Sequence, residues 1–217
     1  MFIEYIRKSP HRNELERYIK KYFPLLKGKI LEIGSKDRRY DFLLKDKPIA
    51  MDIVENKQKE VIFGDVNELT FTDNSFDVVL CIEVFEYLST YKMAISEIYR
   101  VLKNGGIAIL SIPFMYKIHG DKLRFTSNYL TTELLNCFLS ADKQKQDIKI
   151  YPIGNFYTII LDIVRDKVGN IRIMPIRYVC YLGYLFLTLF IPLTKLSKDT
   201  NYVSGYFIVV KKSYANR

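Results

Sequence analysis

Short, almost wholly apolar runs recur along the chain and are separated by amphipathic or polar stretches. "KILEI" (29–33), "IAMDIV" (49–54), "EVIFGDV" (60–66), the run opening at Phe76 and "IAILSI" (107–112) read as five successive strands. A basic helix over Asn13–Phe23, stopped by Pro24, precedes them. The core of a helix is expected at Tyr40–Leu44, and a longer helix at about Thr90–Leu102. "NGG" (104–106) then turns the chain into the fifth strand. A helix over Ser127–Leu139, a sixth strand near Ile148–Ile153 and a closing strand over Tyr202–Lys212 complete the pattern. Continuous apolar strands alternating with helices predict an α/β, doubly wound sheet, largely parallel and covered on both faces.

Composition narrows this picture. A length of 217 residues suits one domain with a sizeable core, and 17 Tyr and 14 Phe with no Trp form a heavy aromatic load. The net charge is +9, and the first 29 residues hold eight Lys or Arg against three Glu. That excess attracts an anionic lipid surface or a phosphorylated substrate, or simply forms a solvated basic face. No zinc-ligand spacing, ribonucleoprotein-type motif or basic heptad helix supports a nucleic-acid partner. Cys81, Cys137 and Cys180 are odd in number, far apart and set among apolar residues, which suits free thiols in a reducing compartment. With His11 and His119 the only histidines and no Cys pair, the chain offers no structural zinc site. The N-terminus carries charges throughout and does not read as a signal peptide, so a cytoplasmic location is expected.

The candidate chemistry collects at strand ends. Gly34, Asp52, Asp65, Glu83 and Pro113 all fall at or just past the C-terminal end of a predicted strand, the edge at which open α/β sheets bind ligands. A dinucleotide fingerprint beginning at Gly34 would need glycine where Lys36 and Arg39 stand, and no Gly-Lys-Ser/Thr follows, so neither a dehydrogenase nor a phosphate loop fits. In order along the chain stand "ILEIG" with an acid two residues before its glycine, "MDIV", "GDVNELTFTDNSFDVVLCIEVFEYL" and "EIYRVLKNGGIAILSIPF". Over about residues 28–130 this series resembles the class I S-adenosyl-L-methionine-dependent methyltransferases of the small-substrate branch called type 11.

The resemblance implies a Rossmann-like methyltransferase sheet, mostly parallel with an antiparallel closing strand, and S-adenosyl-L-methionine as cofactor. It also implies roles. Glu32 would orient the loop and hold the methionyl amino group, Gly34 would let the backbone approach the ligand, and Asp52, followed by Ile53, would accept both ribose hydroxyls. Asp65 and Val66 would border the adenine, and Glu83 would lie near the methionyl part. The chain departs from the family at Lys36 and Arg38, where glycine is usual, and at Tyr87, where histidine is usual. Tyr40 fits relatives whose loop ends in "GxGxxPY", which leaves Lys36 as the larger departure: it pairs with the cofactor's carboxylate or obstructs the pocket. A catalytically silent methyltransferase-like binding or membrane-docking protein is therefore the second reading.

Methyl transfer to a hydroxyl needs alignment and a base. The segment "PFMYKIHGDKLRFT" (113–126) supplies candidates: His119 as base, Asp121 to orient it, Arg124 to hold a phosphate or carboxylate, and Tyr116 among the substrate-facing residues. It is similar to the "H..D..R.T" stretch of methyltransferases from cell-surface glycan and lipid pathways, which implies O-methyl transfer to a small or lipid-linked acceptor. Finally, an apolar helical insertion (about 156–198) precedes the last strand, and its Tyr178–Thr194 carries no charge. A closing strand that returns to the sheet argues against a membrane crossing. The stretch is either a cap or homodimer surface over the sheet, or a segment lying in an anionic membrane interface with Tyr178, Tyr181 and Tyr184 at headgroup depth.

Overall fold

The computed structural model describes residues 8–141, 147–190 and 201–213. Helix α1 (Pro10–Tyr22) starts three residues before the expected boundary. Ser9 caps it, its Oγ accepting the Arg12 amide at 3.2 Å, and Pro10 suits a first turn whose N–H groups lack partners. Pro24 lies inside a 3-10 turn, Phe23–Leu25. The strands are β1 (Ile30–Ile33), β2 (Ile49–Asp52), β3 (Val61–Phe63), β4 (Phe76–Ile82), β5 (Leu102–Pro113), β6 (Asp147–Ile153) and β7 (Gly205–Lys211). Helix α2 (Tyr91–Val101) joins β4 to β5, and α3 (Ser127–Ala141) lies between β5 and β6. Helices α4 (Phe156–Gly169) and α5 (Met174–Thr188) fill the stretch before β7.

All seven strands form one sheet in the order β3-β2-β1-β4-β5-β7-β6. Pairs β1–β2, β2–β3, β1–β4 and β4–β5 are parallel. Strand β7 closes antiparallel to β5, with Gly105 and Gly106 bonded to Lys212, and Phe114 to Ser204. The chain leaves β1 toward β2 and β3, then returns to lay β4 on the other side of β1. This order reversal opens a crevice at the strand ends, the position for ligands in such sheets. Every residue of β1 is buried, as are Phe76 and Val78–Cys81 of β4.

Three sequence expectations are corrected. The helix at Tyr40–Leu44 is only a 3-10 turn, Asp41–Leu43, because the preceding loop consumes the residues that would have formed its first turn. "NGG" does not precede β5 but bulges within it. The register with β4 jumps from Phe76↔Leu102 to Val78↔Ile107, and Gly105 takes φ +78°. The closing strand starts at Gly205 rather than Tyr202.

Two compact units can be told apart among the described residues. One comprises Ile19–Ile112, Gly120–Tyr151 and the chain from Phe207 onward; the other comprises the chain up to Tyr18, Pro113–His119 and Pro152–Tyr206. The first holds most of the sheet and the second holds α4 and α5.

Candidate functional site

The crevice in the first unit is edged by the loop after β1. Gly34 takes φ +74°, and a Cβ built there would approach Val84 Cγ2, just past β4, to 2.2 Å. Only glycine serves at this place. The amides of Gly34 and Ser35 both reach the Met51 carbonyl, at 2.8 and 3.1 Å, which locks the loop onto β2. Glu32 is buried, and its Oε2 accepts the Ser35 hydroxyl at 2.6 Å. Burial pushes the Glu32 carboxyl up to about 7; the Ser35 hydroxyl opposes this and the nearby Asp41 adds to it.

Lys36 is not the strained residue of this loop. It is exposed, and the left-handed conformation falls two residues later, on Arg38, at φ +49°. A non-glycine residue there costs about 1–2 kcal/mol. Tertiary contacts offset that cost. The Arg38 guanidinium bonds the Asp41 carboxylate at 2.7 Å, the Glu60 carbonyl at 3.1 Å and the carbonyls of Lys59 and Pro48 at 3.3 Å. The arginine thus clamps the loop to the segments flanking β2 and β3. Arg38→Ala, which keeps most of the strain and loses the clamp, is expected to destabilise the fold by about 2 kcal/mol, a fall of roughly 4–8 °C in melting temperature. Arg38→Gly relieves the strain and should melt between the two. Thermal melts of the three proteins check this order, and a glycine variant at least as stable as the native protein would show that the clamp contributes nothing.

Asp52 ends β2, half-buried, with its carboxylate held by two backbone amides: Lys36 N–H to Oδ2 at 3.1 Å and Val54 N–H to Oδ1 at 3.0 Å. Each oxygen keeps a second lone pair, so a fixed carboxylate remains able to accept two more donors. Ile53 beside it is 70% exposed, an unusual place for a large apolar side chain at a crevice edge. Asp65 is exposed and accepts the Asn67 amide at 2.8 Å, while Val66 is buried. Glu83, just past β4, has φ +55°, and its amide is shared between the Ser111 carbonyl and hydroxyl at 3.0 and 3.1 Å. Strained backbone of this kind gathers at ligand sites. The sheet's reversal therefore brings Glu32, Gly34, Lys36 and Asp52 into one bonded loop system, with Glu83 at the adjacent strand end.

Glu86 was not anticipated. It lies in the 3-10 turn Phe85–Tyr87, 2% exposed, and its Oε2 is buried without a hydrogen-bond partner. Burial pushes its carboxyl up to about 8. Its carbonyl accepts the amides of Lys122 and Leu123, fixing the segment that carries Asp121 and Arg124. Those two residues pair with each other, Arg124 Nε to Asp121 Oδ2 at 2.6 Å.

Tyr116 and His119 belong to the second unit, their ring centroids 5.7 Å apart. They line a cavity of about 490 Å³ with Ser9, Met115, Ile159 and Asp162, among others. Asp162 Oδ2 accepts the His11 amide at 2.9 Å, and burial pushes its carboxyl up to about 7. His11 is itself fully buried. Its ring stacks on Tyr116 at 4.4 Å and its Nδ1 lies 2.8 Å from Ser204 Oγ. The Ser204 hydroxyl donates its one proton to the Ile153 carbonyl, so His11 Nδ1 carries the hydrogen of their bond. Asp166, in the same lining, pairs with Lys117. In the sequence the signal for Asp162 was a lone acid inside the apolar run "FYTIILDIV"; nothing local marked Glu86.

Comparison with known proteins agrees with this geometry. A family model described as a methyltransferase domain matches residues 16–110. The chain is 30% identical over 177 residues to the uncharacterized protein MJ1123 of Methanocaldococcus jannaschii, covering 75% of this chain and 82% of that one. It is 46% identical over 52 residues to a sterol 24-C-methyltransferase of Gibberella zeae, covering 24% of this chain and only 14% of the fungal enzyme. In fold it matches a SAM dependent methyltransferase from Archaeoglobus fulgidus with a TM-score of 0.59 at 19% identity, covering 97% and 98% of the two chains. A parallel sheet reversed between β1 and β4, a glycine turn over the crevice and the breadth of these matches together show that the chain belongs to the class I S-adenosylmethionine-dependent methyltransferases of the type 11 domain family.

Proposed function

We propose that this chain binds S-adenosyl-L-methionine at the β1–β4 crevice and methylates a hydroxyl oxygen of a small or lipid-linked, glycan-type acceptor. The observation that carries the cofactor reading is the loop itself: a glycine held at positive φ where a Cβ would collide, beside an aspartate immobilised by two amides. When bound, the cofactor supplies an electrophilic methyl group on its sulfonium. Glu32 holds the amino group of the methionyl part, Asp52 takes the ribose hydroxyls, Ile53 and Val66 flank the adenine with Asp65, and Glu83 borders the methionyl end. Lys36, exposed and free of left-handed strain, is available to the cofactor's carboxylate.

For the acceptor, His119 takes the hydroxyl proton and Tyr116, in the same unit, orients the polar part. Support comes from the mixed lining of the 490 Å³ cavity, in which Met115, Ile159 and Ile163 stand beside His119, Tyr116 and Asp162. Such a lining suits an acceptor with a polar head and an apolar body.

Calorimetric titration with S-adenosylhomocysteine tests the cofactor half. The native protein should bind at micromolar concentration, Lys36→Gly should bind within about threefold of it, and Asp52→Ala should lose about tenfold through its lost charged hydrogen bonds. No binding by the native chain with recovery in Lys36→Gly would favour the silent docking protein instead. The acceptor half is tested by radiolabelled methyl transfer to hydroxylated acceptors: His119→Ala should lose turnover while keeping S-adenosylhomocysteine affinity, and unchanged turnover removes His119 as the base.

A further inference from the structure

Helices α4 and α5 present an apolar surface that no other described residue covers. Among the described residues, 16 of the 27 exposed large apolar or aromatic side chains fall between 156 and 202. On α5 only Tyr184 and Thr188 are buried, whereas Tyr178, Val179, Leu182 and Phe186 are each at least half exposed at helical spacing. Leu189 and Phe190 are exposed past the helix end, and Ile160 and Ile163 are exposed on α4. Monomeric soluble proteins rarely leave so large a patch open.

We infer that this face docks onto an anionic lipid bilayer, lying in the plane of its interface. Length sets the orientation. Fifteen residues of α5 span about 22 Å against roughly 30 Å of hydrocarbon, and no helix among the described residues is long and apolar enough to cross a membrane. Charge selects the occupant. From Lys167 to Phe190 the chain carries Lys167, Arg172 and Arg177 and no acidic residue, within a protein of net charge +9. An apolar face beside basic residues complements anionic headgroups, and it would set like charges against each other across a self-interface. Tyr178 and Tyr181 supply the amphipathic rings favoured at headgroup depth. The inference does not depend on which acceptor is methylated.

The test is flotation of the full chain with vesicles of phosphatidylcholine alone and of phosphatidylcholine with one-third phosphatidylglycerol, beside sedimentation velocity without lipid. The expected result is binding to the anionic vesicles that weakens about tenfold between 0.1 and 0.5 M salt, with little binding to neutral ones. Leu182→Glu/Phe186→Glu, both exposed positions, should lose about tenfold or more in binding with melting temperature and S-adenosylhomocysteine affinity unchanged. Native protein that stays in solution, equal binding by the double variant, or a native dimer that the double variant dissolves without any vesicle binding would each overturn the inference, the last in favour of a surface between two copies of this chain.

Discussion

Gly34→Ala should leave a protein that melts about 5–10 °C lower and binds S-adenosylhomocysteine at least about thirtyfold more weakly. Two independent costs produce the first effect. The alanine must adopt φ +74°, which costs about 1–2 kcal/mol, and its methyl would stand 2.2 Å from Val84 Cγ2. Valine is stiff about χ1, so relief requires an off-rotamer side chain or a backbone shift worth about another 1 kcal/mol. For a domain of this size 2–3 kcal/mol corresponds to that fall in melting temperature. The binding effect arises because the amides of residues 34 and 35 are tied to Met51 and that of Lys36 to Asp52, so a shift of Gly34 displaces the aspartate's support as well. Thermal melts and titration calorimetry read the two quantities separately. A variant with native melting but lost binding would assign Gly34 to ligand approach alone, and one with native binding would remove the loop from the cofactor site.

Glu86→Gln should instead stabilise the protein, and only at neutral to alkaline pH. The carboxyl titrates near 8 in the folded chain against an ordinary value of 4.5, because burial disfavours its charged form. The folded state therefore keeps a proton that the unfolded chain has released, and native stability falls as pH rises from about 4.5 through about 8. The amide carries no charge at any pH and removes that loss. At pH 8 the expected gain is about 2–4 kcal/mol, or roughly 4–16 °C in melting temperature, shrinking toward zero near pH 5. Glu32 and Asp162, both pushed up to about 7 by burial, act in the same direction, so the variant keeps part of the native slope. Melts between pH 5 and 8.5 decide the matter, and parallel curves for the two proteins would mean that Glu86 is ionised and solvated in the folded state.

That an acidic residue should be held neutral beside the crevice follows from what surrounds it. Its Oε2 has no hydrogen-bond partner, Glu83 and Asp121 add negative charge nearby, and Arg124, which opposes the upward shift, is paired with Asp121. The turn keeps its place through its backbone, whose carbonyl anchors Lys122 and Leu123.

Much of the molecule was legible in its sequence for a local reason. Strands buried on both faces must be apolar along their whole length, so β1, β4 and the second half of β5 announced themselves, and with them the strand ends where Gly34, Asp52, Asp65 and Glu83 had to stand. Helix α1 was legible too, although its Ser-Pro start was missed in favour of the apolar period beginning later. Where local pattern competed with loop geometry it misled: Tyr40–Leu44 has helical spacing but forms a single 3-10 turn.

The strands along the chain, the acids at their ends, the apolar segment before β7 and the resemblance to the family were thus determined by sequence alone, because burial on a regular element imposes a period that one chain displays by itself. Tertiary structure decided the rest. Of the two departures from glycine, it put the loop's strain on Arg38 and not on Lys36, since whether a residue tolerates positive φ depends on partners, here at positions 41, 48, 59 and 60. Among the described residues it set Glu32, Glu86 and Asp162 where burial pushes their carboxyls far upward, because desolvation depends on everything packed around a group and not on its neighbours in the chain. It also gathered Ser9, Tyr116, His119 and Asp162 around one cavity from three separate segments of the chain, a meeting that no periodicity records because it exists only once the chain has folded.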